Sequence, residues 1–183
     1  MGYDAGTQPC GEDCPVESIS WYQAAAFTVA ASEAAGLPAC YTCEGEGAKV
    51  TCEPSLSPYA CAGYRLPTEA EWEYFGRAGE TGAFLSGGGV VAGTEQDCSA
   101  DLALDNGAVI GDEAWWCGNA TAPSLGGGKP PNAWGLYDIE GNIHEWTTDW
   151  YDITWYTEPE ANLPDPEGPP TGKEKVQIGR AHV

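Results

Sequence analysis

The sequence contains few basic residues and no long apolar segment. Its 183 residues include 7 Lys and Arg against 28 Asp and Glu, which gives a formal net charge of -21. A surface of this sign repels nucleic-acid phosphates and anionic membranes, so we expect neither as a partner. No apolar run approaches the length that spans a bilayer. The first residues also lack the basic and apolar regions of a secretory signal, so we expect no signal peptide in this chain.

Glycine, proline and cysteine are abundant instead. The 25 glycines and 14 prolines require many turns and exclude a fold dominated by long helices, so we predict a loop-rich α+β protein. The length and the absence of a break in composition are typical of a single domain, residues 1–183. The eight cysteines lie at Cys10, Cys14, Cys40, Cys43, Cys52, Cys61, Cys98 and Cys117.

The even number of cysteines, placed in loops, favours disulfides and therefore an extracellular or periplasmic location. Cys40 and Cys43 also have the spacing of zinc ligands, but the cysteines that follow do not form the second close pair of a zinc ribbon. We predict that residues 37–64 are an insertion held by disulfides. Spacing alone leaves other connectivities open, and the pairs we predict are Cys40–Cys61, Cys43–Cys52, Cys10–Cys14 and Cys98–Cys117.

Two helices are predicted from their capping residues. A Ser/Gln capping box at residues 20–23 begins the first helix, and Gly36 ends the narrow apolar stripe that follows it. A Thr/Glu capping box at residues 68–71 begins the second helix, which is expected to turn Trp72 and Phe75 inward.

Residues 132–151 combine aromatic residues, glycines and carboxylates more densely than any other segment. Asp138, Gly141, Ile143 and Glu145 alternate so that two carboxylates and two backbone carbonyls can meet at one cation, as calcium prefers. The alternative is that Asp138 caps a turn, Gly141 supplies a positive φ and Glu145 lies at a solvated strand edge. Spacing alone leaves both interpretations open. The aromatic side chains around this loop are expected to pack beneath it: Trp134, Tyr137, Trp146 and Trp150.

Three blocks of the sequence together resemble the formylglycine-generating enzyme family. They read CPVESISW at residues 14–21, YRLPTEAEWEY at residues 64–74 and NAWGLYDIEGNIHEW at residues 132–146, and they occur in the family's order. The segment PEGPPTGKEKV at residues 166–176 is similar to the stretch that precedes the family's Arg-Gly-Gly-Ser block. The resemblance covers residues 10–177 and is weakest in the cysteine-rich insertion and in the glycine-rich segment that follows the second helix.

The resemblance implies a C-type-lectin-like fold of the sulfatase-modifying-factor type, loop-rich, with two helices and little regular sheet. It implies copper-dependent, oxygen-consuming oxidation of a cysteine in a sulfatase peptide to formylglycine. It also places a calcium site on the side chains of Asp138 and Glu145 and on the carbonyls of Gly141 and Ile143, which favours the calcium interpretation. Many members of the family have Trp at the position of His144. This single histidine cannot form the multi-histidine iron site of the related sulfoxide synthases.

The family's copper-binding cysteine pair follows the Arg-Gly-Gly-Ser block, and no cysteine of this sequence matches it. We therefore assign no catalytic residue, expect the copper ligands to be absent from this chain, and expect the chain itself to be inactive. The hexapeptide IGRAHV at residues 178–183 matches the translation of a common sequencing adapter, so we expect a partial domain with a non-native tail. The alternative to an enzyme is a noncatalytic, calcium-stabilised module that binds a glycan or protein ligand.

Overall fold

The structure, a computed structural model, describes residues 11–89, Cys98 and residues 102–179. In these residues the strands pair as two separate two-stranded sheets, β1 with β2 and β3 with β4. The predicted loop-rich α+β class with little regular sheet is confirmed, and α3 is a short third helix that the sequence did not predict. The helices and strands, in chain order, are α1 (Trp21–Ala34), β1 (Tyr41–Glu44), β2 (Thr51–Pro54), α2 (Glu69–Arg77), α3 (Ile110–Glu113), β3 (Glu145–Trp150) and β4 (Lys175–Ile178).

The capping box predicted for α1 is present. The Ser20 hydroxyl accepts a hydrogen bond from the Gln23 N–H (3.2 Å), and the Ser20 N–H donates to Gln23 Oε1 (2.9 Å). These two bonds satisfy backbone donors that the first turn of a helix otherwise leaves unpaired. Beyond the helix, Gly36 adopts a φ of +69°, a conformation that glycine reaches without steric cost. The predicted boundaries of this helix are therefore confirmed at both ends.

The predicted disulfides determine how the cysteine-rich segment folds. Strands β1 and β2 are antiparallel, with Cys43 directly opposite Cys52, and a disulfide joins these two residues. Cys40 is bonded to Cys61, which closes a larger loop around the hairpin. The zinc alternative is therefore wrong, because Cys40 and Cys43 belong to different disulfides.

The disulfide between Cys98 and Cys117 is also present, as predicted. Cys14 is disulfide-bonded, but Cys10 lies outside the described residues, so the Cys10–Cys14 pair stays a prediction. Disulfides of this number are typical of proteins that fold in oxidising compartments.

The chain forms two compact units. The first comprises Ser18–Trp72 and Trp146–Ile178, and most of the second is Glu73–Glu145. The core of the first unit forms where α1 packs on the β1–β2 hairpin, around Trp21, Ala25, Ala26, Cys40, Tyr41, Val50 and Cys52. The core of the second unit surrounds α3 and consists of Leu102, Leu104, Ile110, Ala114 and Trp116. The assignment of residues 1–183 to a single domain stays a prediction. No helix in the described residues is both long and apolar enough to cross a membrane.

The capping box predicted for α2 is also confirmed. The Glu71 N–H donates to Thr68 Oγ1 (3.1 Å), and the Thr68 N–H donates to Glu71 Oε2 (2.9 Å). The guanidinium of Arg65 holds the Glu71 carboxylate through two hydrogen bonds, of 2.6 and 2.8 Å. Hydrogen bonds from Arg65 lower the pKa of Glu71, because they favour the ionised carboxylate. A buried carboxylate, Asp149, accepts from the Glu69 N–H (2.7 Å), so the start of α2 is fixed by two acids.

The expectation that Phe75 faces inward from α2 is wrong, because its side chain is 37% exposed. Its ring lies near that of Tyr74, which is 65% exposed, with 6.3 Å between ring centroids. The tertiary contact of Phe75 is made by its backbone, since the Asn132 amide donates to the Phe75 carbonyl (2.6 Å). That bond orients the end of the helix without covering the ring.

We expect Thr68→Ala to lower the free energy of unfolding by about 1–2 kcal/mol. The Thr68 side chain is fully buried, and its hydroxyl also pairs with the Tyr59 hydroxyl (3.0 Å), so the substitution removes a second hydrogen bond. Ser20→Ala removes the same kind of cap from the exposed start of α1 and is expected to cost about 0.5–1 kcal/mol. Urea unfolding followed by circular dichroism measures both values, and equal losses would contradict the added contribution of the Tyr59 bond.

Candidate functional site

The loop that carries the predicted calcium ligands begins at a turn fixed by the side chain of Asn132. The Asn132 carbonyl oxygen Oδ1 accepts from the N–H groups of Trp134 (3.0 Å) and Leu136 (3.1 Å). Its amide nitrogen Nδ2 donates to the backbone carbonyls of Phe75 (2.6 Å) and Gly76 (3.2 Å) at the C-terminal end of α2. One buried amide therefore anchors the start of the loop to the helix.

Asp138 has a carboxylate oxygen that is buried without a hydrogen-bond partner in the described residues. Its Oδ2 accepts from the Gly127 N–H (2.6 Å), whereas its Oδ1 is buried and unpaired. Its backbone is also unusual, with a φ of 55° that side chains rarely adopt. A buried anionic oxygen is costly unless it is paired or coordinates a metal. The donor chemistry at Asp138 therefore fits a hard cation such as calcium.

Gly141 is where the loop makes its closest backbone approach. It has a φ of +96° and forms an isolated parallel bridge with Trp115. The Gly141 N–H donates to the Gly179 carbonyl (2.6 Å), and the next N–H, of Asn142, donates to the Trp115 carbonyl (3.0 Å). The Asn142 amide also exchanges two hydrogen bonds with the backbone of Ser124, of 2.8 and 3.1 Å. These bonds hold the backbone on which the predicted carbonyl ligands lie.

Ile143 and Glu145 are half-buried, and Glu145 is the first residue of β3. All four predicted ligands thus lie in one short loop that leads into a strand. No group of three or more His, Cys, Asp or Glu side chains suited to a metal is found in the part of the chain that the structure describes. The predicted set does not require such a group, because two of its ligands are backbone carbonyls. The turn interpretation shares several of these features, including the positive φ of Gly141, so calcium binding stays a prediction.

Glu140, which the sequence did not single out, lies next to these residues and has perturbed ionisation. The pKa of its carboxyl is raised to about 8, mainly by burial and also by the negative charge of Glu113, and a backbone hydrogen bond from Leu85 acts in the opposite direction. Its Oε2 is buried and has no hydrogen-bond partner in the described residues. No sequence signal identifies this acid, because its burial results from segments that are distant along the chain.

The prediction that the aromatic residues pack beneath the loop is wrong for Trp134 and Tyr137, which are 48% and 54% exposed. The Trp134 N–H donates to Asn132, while its ring lies at the surface, 4.9 Å from the ring of Tyr74. Trp146 belongs to the first compact unit, where its indole N–H donates to the Ile19 carbonyl (3.0 Å). Trp150 belongs to the same unit. By contrast, Trp116 is buried in the core of the second unit.

Comparison with known proteins gives the same family from nearly the whole sequence. Residues 4–181 match the model of the sulfatase-modifying factor enzyme 1-like domain. The formylglycine-generating enzyme of Bos taurus is 35% identical over 122 residues, which cover 67% of this chain and 31% of that protein. The formylglycine-generating enzyme of Thermomonospora curvata is 33% identical over 149 residues, which cover 74% of this chain and 48% of that protein. The chain therefore spans about a third to a half of the length of these relatives.

A solved structure supports the fold. Treponema denticola variable protein 1 superposes with a TM-score of 0.65 and 27% sequence identity, over 96% of this chain and 63% of that chain. The similarity is consistent with the predicted C-type-lectin-like fold of the sulfatase-modifying-factor type. Because the family model matches almost every residue, this chain belongs to the sulfatase-modifying factor enzyme 1-like family.

Proposed function

We propose that the protein to which this chain belongs oxidises a cysteine of a sulfatase peptide to formylglycine. In this proposal the chain forms part of the scaffold that supports the reaction, and calcium stabilises that scaffold. The proposal is carried by the family match over residues 4–181. It is further supported by the relatives named formylglycine-generating enzyme, which are 33% and 35% identical to this chain. The alternative of a noncatalytic module that binds a glycan or protein ligand is not favoured by these relatives.

The cysteines of this chain that the structure describes have a structural role in this proposal. Cys40, Cys43, Cys52, Cys61, Cys98 and Cys117 form three disulfides. A disulfide sulfur is not a thiolate, and a thiolate is the form in which cysteine binds a soft ion such as Cu(I). Bound copper would supply the redox chemistry between the substrate cysteine and oxygen, and none of these six residues is proposed to hold it. The disulfides also support the proposal of an extracellular or periplasmic location.

For the calcium site we propose the carboxylates of Asp138 and Glu145 and the backbone carbonyls of Gly141 and Ile143. The unpaired, buried Oδ1 of Asp138 supports this assignment, because a cation would neutralise it. The loop is continuous with β3, so a cation held there would brace the start of that strand. In this role calcium stabilises the native fold and takes no part in oxidation.

The oxidation is tested with the protein encoded by the parent gene and with the 183-residue chain alone. Each is incubated with copper, oxygen and a cysteine-containing sulfatase peptide, and aldehyde formation is followed by mass spectrometry. We expect formylglycine from the parent protein. We expect no formylglycine from the 183-residue chain, because its described cysteines form disulfides. A parent protein that leaves the peptide cysteine unchanged would refute the proposed activity, and formylglycine made by the chain alone would refute the scaffold role.

A further inference from the structure

A cavity of about 470 Å³ lies within the first compact unit, and none of the four proposed calcium ligands lines it. Its volume is in the range that accommodates small-molecule ligands, about 300–1,000 Å³. Three tryptophans are among its lining residues, Trp21 on α1 and Trp146 and Trp150 on β3. Flat aromatic walls of this kind suit the flat apolar body of a ligand.

The ammonium group of Lys175 is held between two of these indoles. Its Nζ lies 3.8 Å from the ring centre of Trp150 and 4.6 Å from that of Trp21, and it donates to the Thr148 carbonyl (2.7 Å). Lys175 is also one of the residues that line the cavity. The side chain is half-buried, and burial lowers its pKa to about 8.

The positive charge of Lys175 is only partly compensated by the protein. The ion pairs found in the described residues join Arg65 to Glu71 and Arg77 to Glu73, and neither includes Lys175. The charges of Asp149 and Glu53 raise the pKa of Lys175, but the effect of burial is larger and sets the direction of the shift. A partly buried ammonium with aromatic neighbours and no carboxylate within 4 Å is stabilised further by an anionic partner.

The charged residues around the cavity restrict the charge that a ligand can carry. The chain has four lysines and a net charge of -21, yet two of the lysines, Lys173 and Lys175, line this one cavity. Glu53 and Glu174 line it as well and would repel a second negative charge. Two of the three indole rings, those of Trp21 and Trp150, already carry the ammonium of Lys175, which disfavours a cationic ligand on them.

We propose that this cavity binds a small organic monoanion with a flat apolar body, its anionic group paired with Lys175 and its body against the indole rings. The proposal is independent of formylglycine formation, because it uses no residue of the calcium loop and none of the disulfide chemistry. It predicts preference for an aromatic carboxylate over its neutral and cationic analogues. The carboxylate and its two analogues have nearly the same size, so a difference in affinity among these three compounds reports the charge of the site.

The test titrates the 183-residue chain with benzoate, benzamide and benzylamine, using tryptophan fluorescence and calorimetry. We expect benzoate to bind at least about tenfold more tightly than either analogue. Lys175→Gln is expected to lower the affinity for benzoate at least about tenfold, because it removes the charge and keeps much of the side-chain length. Lys49→Gln, at an exposed position of the same unit, is the matched control and is expected to leave the affinity unchanged.

Three results would overturn the proposal. They are equal affinity for benzoate and benzamide, unchanged benzoate affinity in Lys175→Gln, and no benzoate binding up to about 10 mM. Circular dichroism of Lys175→Gln establishes whether that variant is folded. If it is not, the comparison of the three ligands on the unsubstituted chain decides the question by itself.

Discussion

Calcium is expected to raise the melting temperature of this chain by about 5–10 °C at a concentration of about one hundred times its dissociation constant. A ligand that binds the native state alone stabilises it by about 2.7 kcal/mol at this ratio, and one kcal/mol shifts a domain of this size by about 2–4 °C. The structural reason is the buried and unpaired Oδ1 of Asp138, whose charge a cation would compensate. Calorimetry with calcium and with a chelator measures the shift.

Substitution of the two proposed carboxylate ligands separates specific binding from a general effect of salt. Asp138→Asn and Glu145→Gln remove one negative charge each with little change of shape, and each is expected to abolish most of the shift. Glu46→Gln is the matched control, because this acid is exposed and lies outside the calcium loop. A calcium response that survives in Glu145→Gln would remove Glu145 from the site. No response in the unsubstituted chain would refute the calcium proposal as a whole.

Gly141→Ala is expected to destabilise the protein by about 3 kcal/mol or more. A Cβ at this position would lie 2.0 Å from the carbonyl oxygen of Trp115, which is a backbone atom and cannot rotate away. The backbone at Gly141 also has a φ of +96°, which strains any other residue. Relief of the clash therefore requires the loop to separate from Trp115, with loss of the hydrogen bond from the Asn142 N–H. Urea unfolding measures the change.

Gly135→Ala is the matched control for this substitution. Gly135 has a φ of +82°, but a Cβ built there meets no atom within 4 Å. Its substitution reports the backbone strain alone, and we expect a loss of about 1 kcal/mol. The difference between the two variants measures the close approach to Trp115. Equal losses would show that the contact between Gly141 and Trp115 contributes little to stability.

The two predictions examine the same loop in different ways. Gly141→Ala changes the backbone that presents the proposed carbonyl ligands, whereas Asp138→Asn changes a side-chain ligand and leaves that backbone in place. If the calcium proposal is correct, Gly141→Ala also reduces the calcium-induced shift in melting temperature, because the carbonyl of Gly141 moves. If the loop is only a turn, Gly141→Ala still destabilises the protein, but neither variant shows a calcium effect to lose.

Local sequence determined the helix starts and the disulfide loops of this protein. A capping box joins residues three apart, so Ser20 with Gln23 and Thr68 with Glu71 form the same hydrogen bonds in almost any surroundings. The pairs Cys40–Cys61 and Cys43–Cys52 close short nested loops, which chain connectivity favours. The order of the three sequence blocks likewise sufficed to predict the family that the comparisons establish.

Burial was decided by the tertiary structure alone. Phe75 and Trp134 look like core residues in the sequence, yet both are exposed, and Asn132 binds their backbone groups rather than their rings. Glu140 looks like an ordinary surface acid, yet packing of distant segments buries it and raises its pKa to about 8. Lys175 likewise looks like an ordinary lysine in the sequence, yet in the fold α1 and β3 bring two indole rings to its ammonium group. Hydrogen bonds between near neighbours are encoded locally, whereas the solvent exposure and the electrostatic surroundings of a side chain depend on every segment that packs around it.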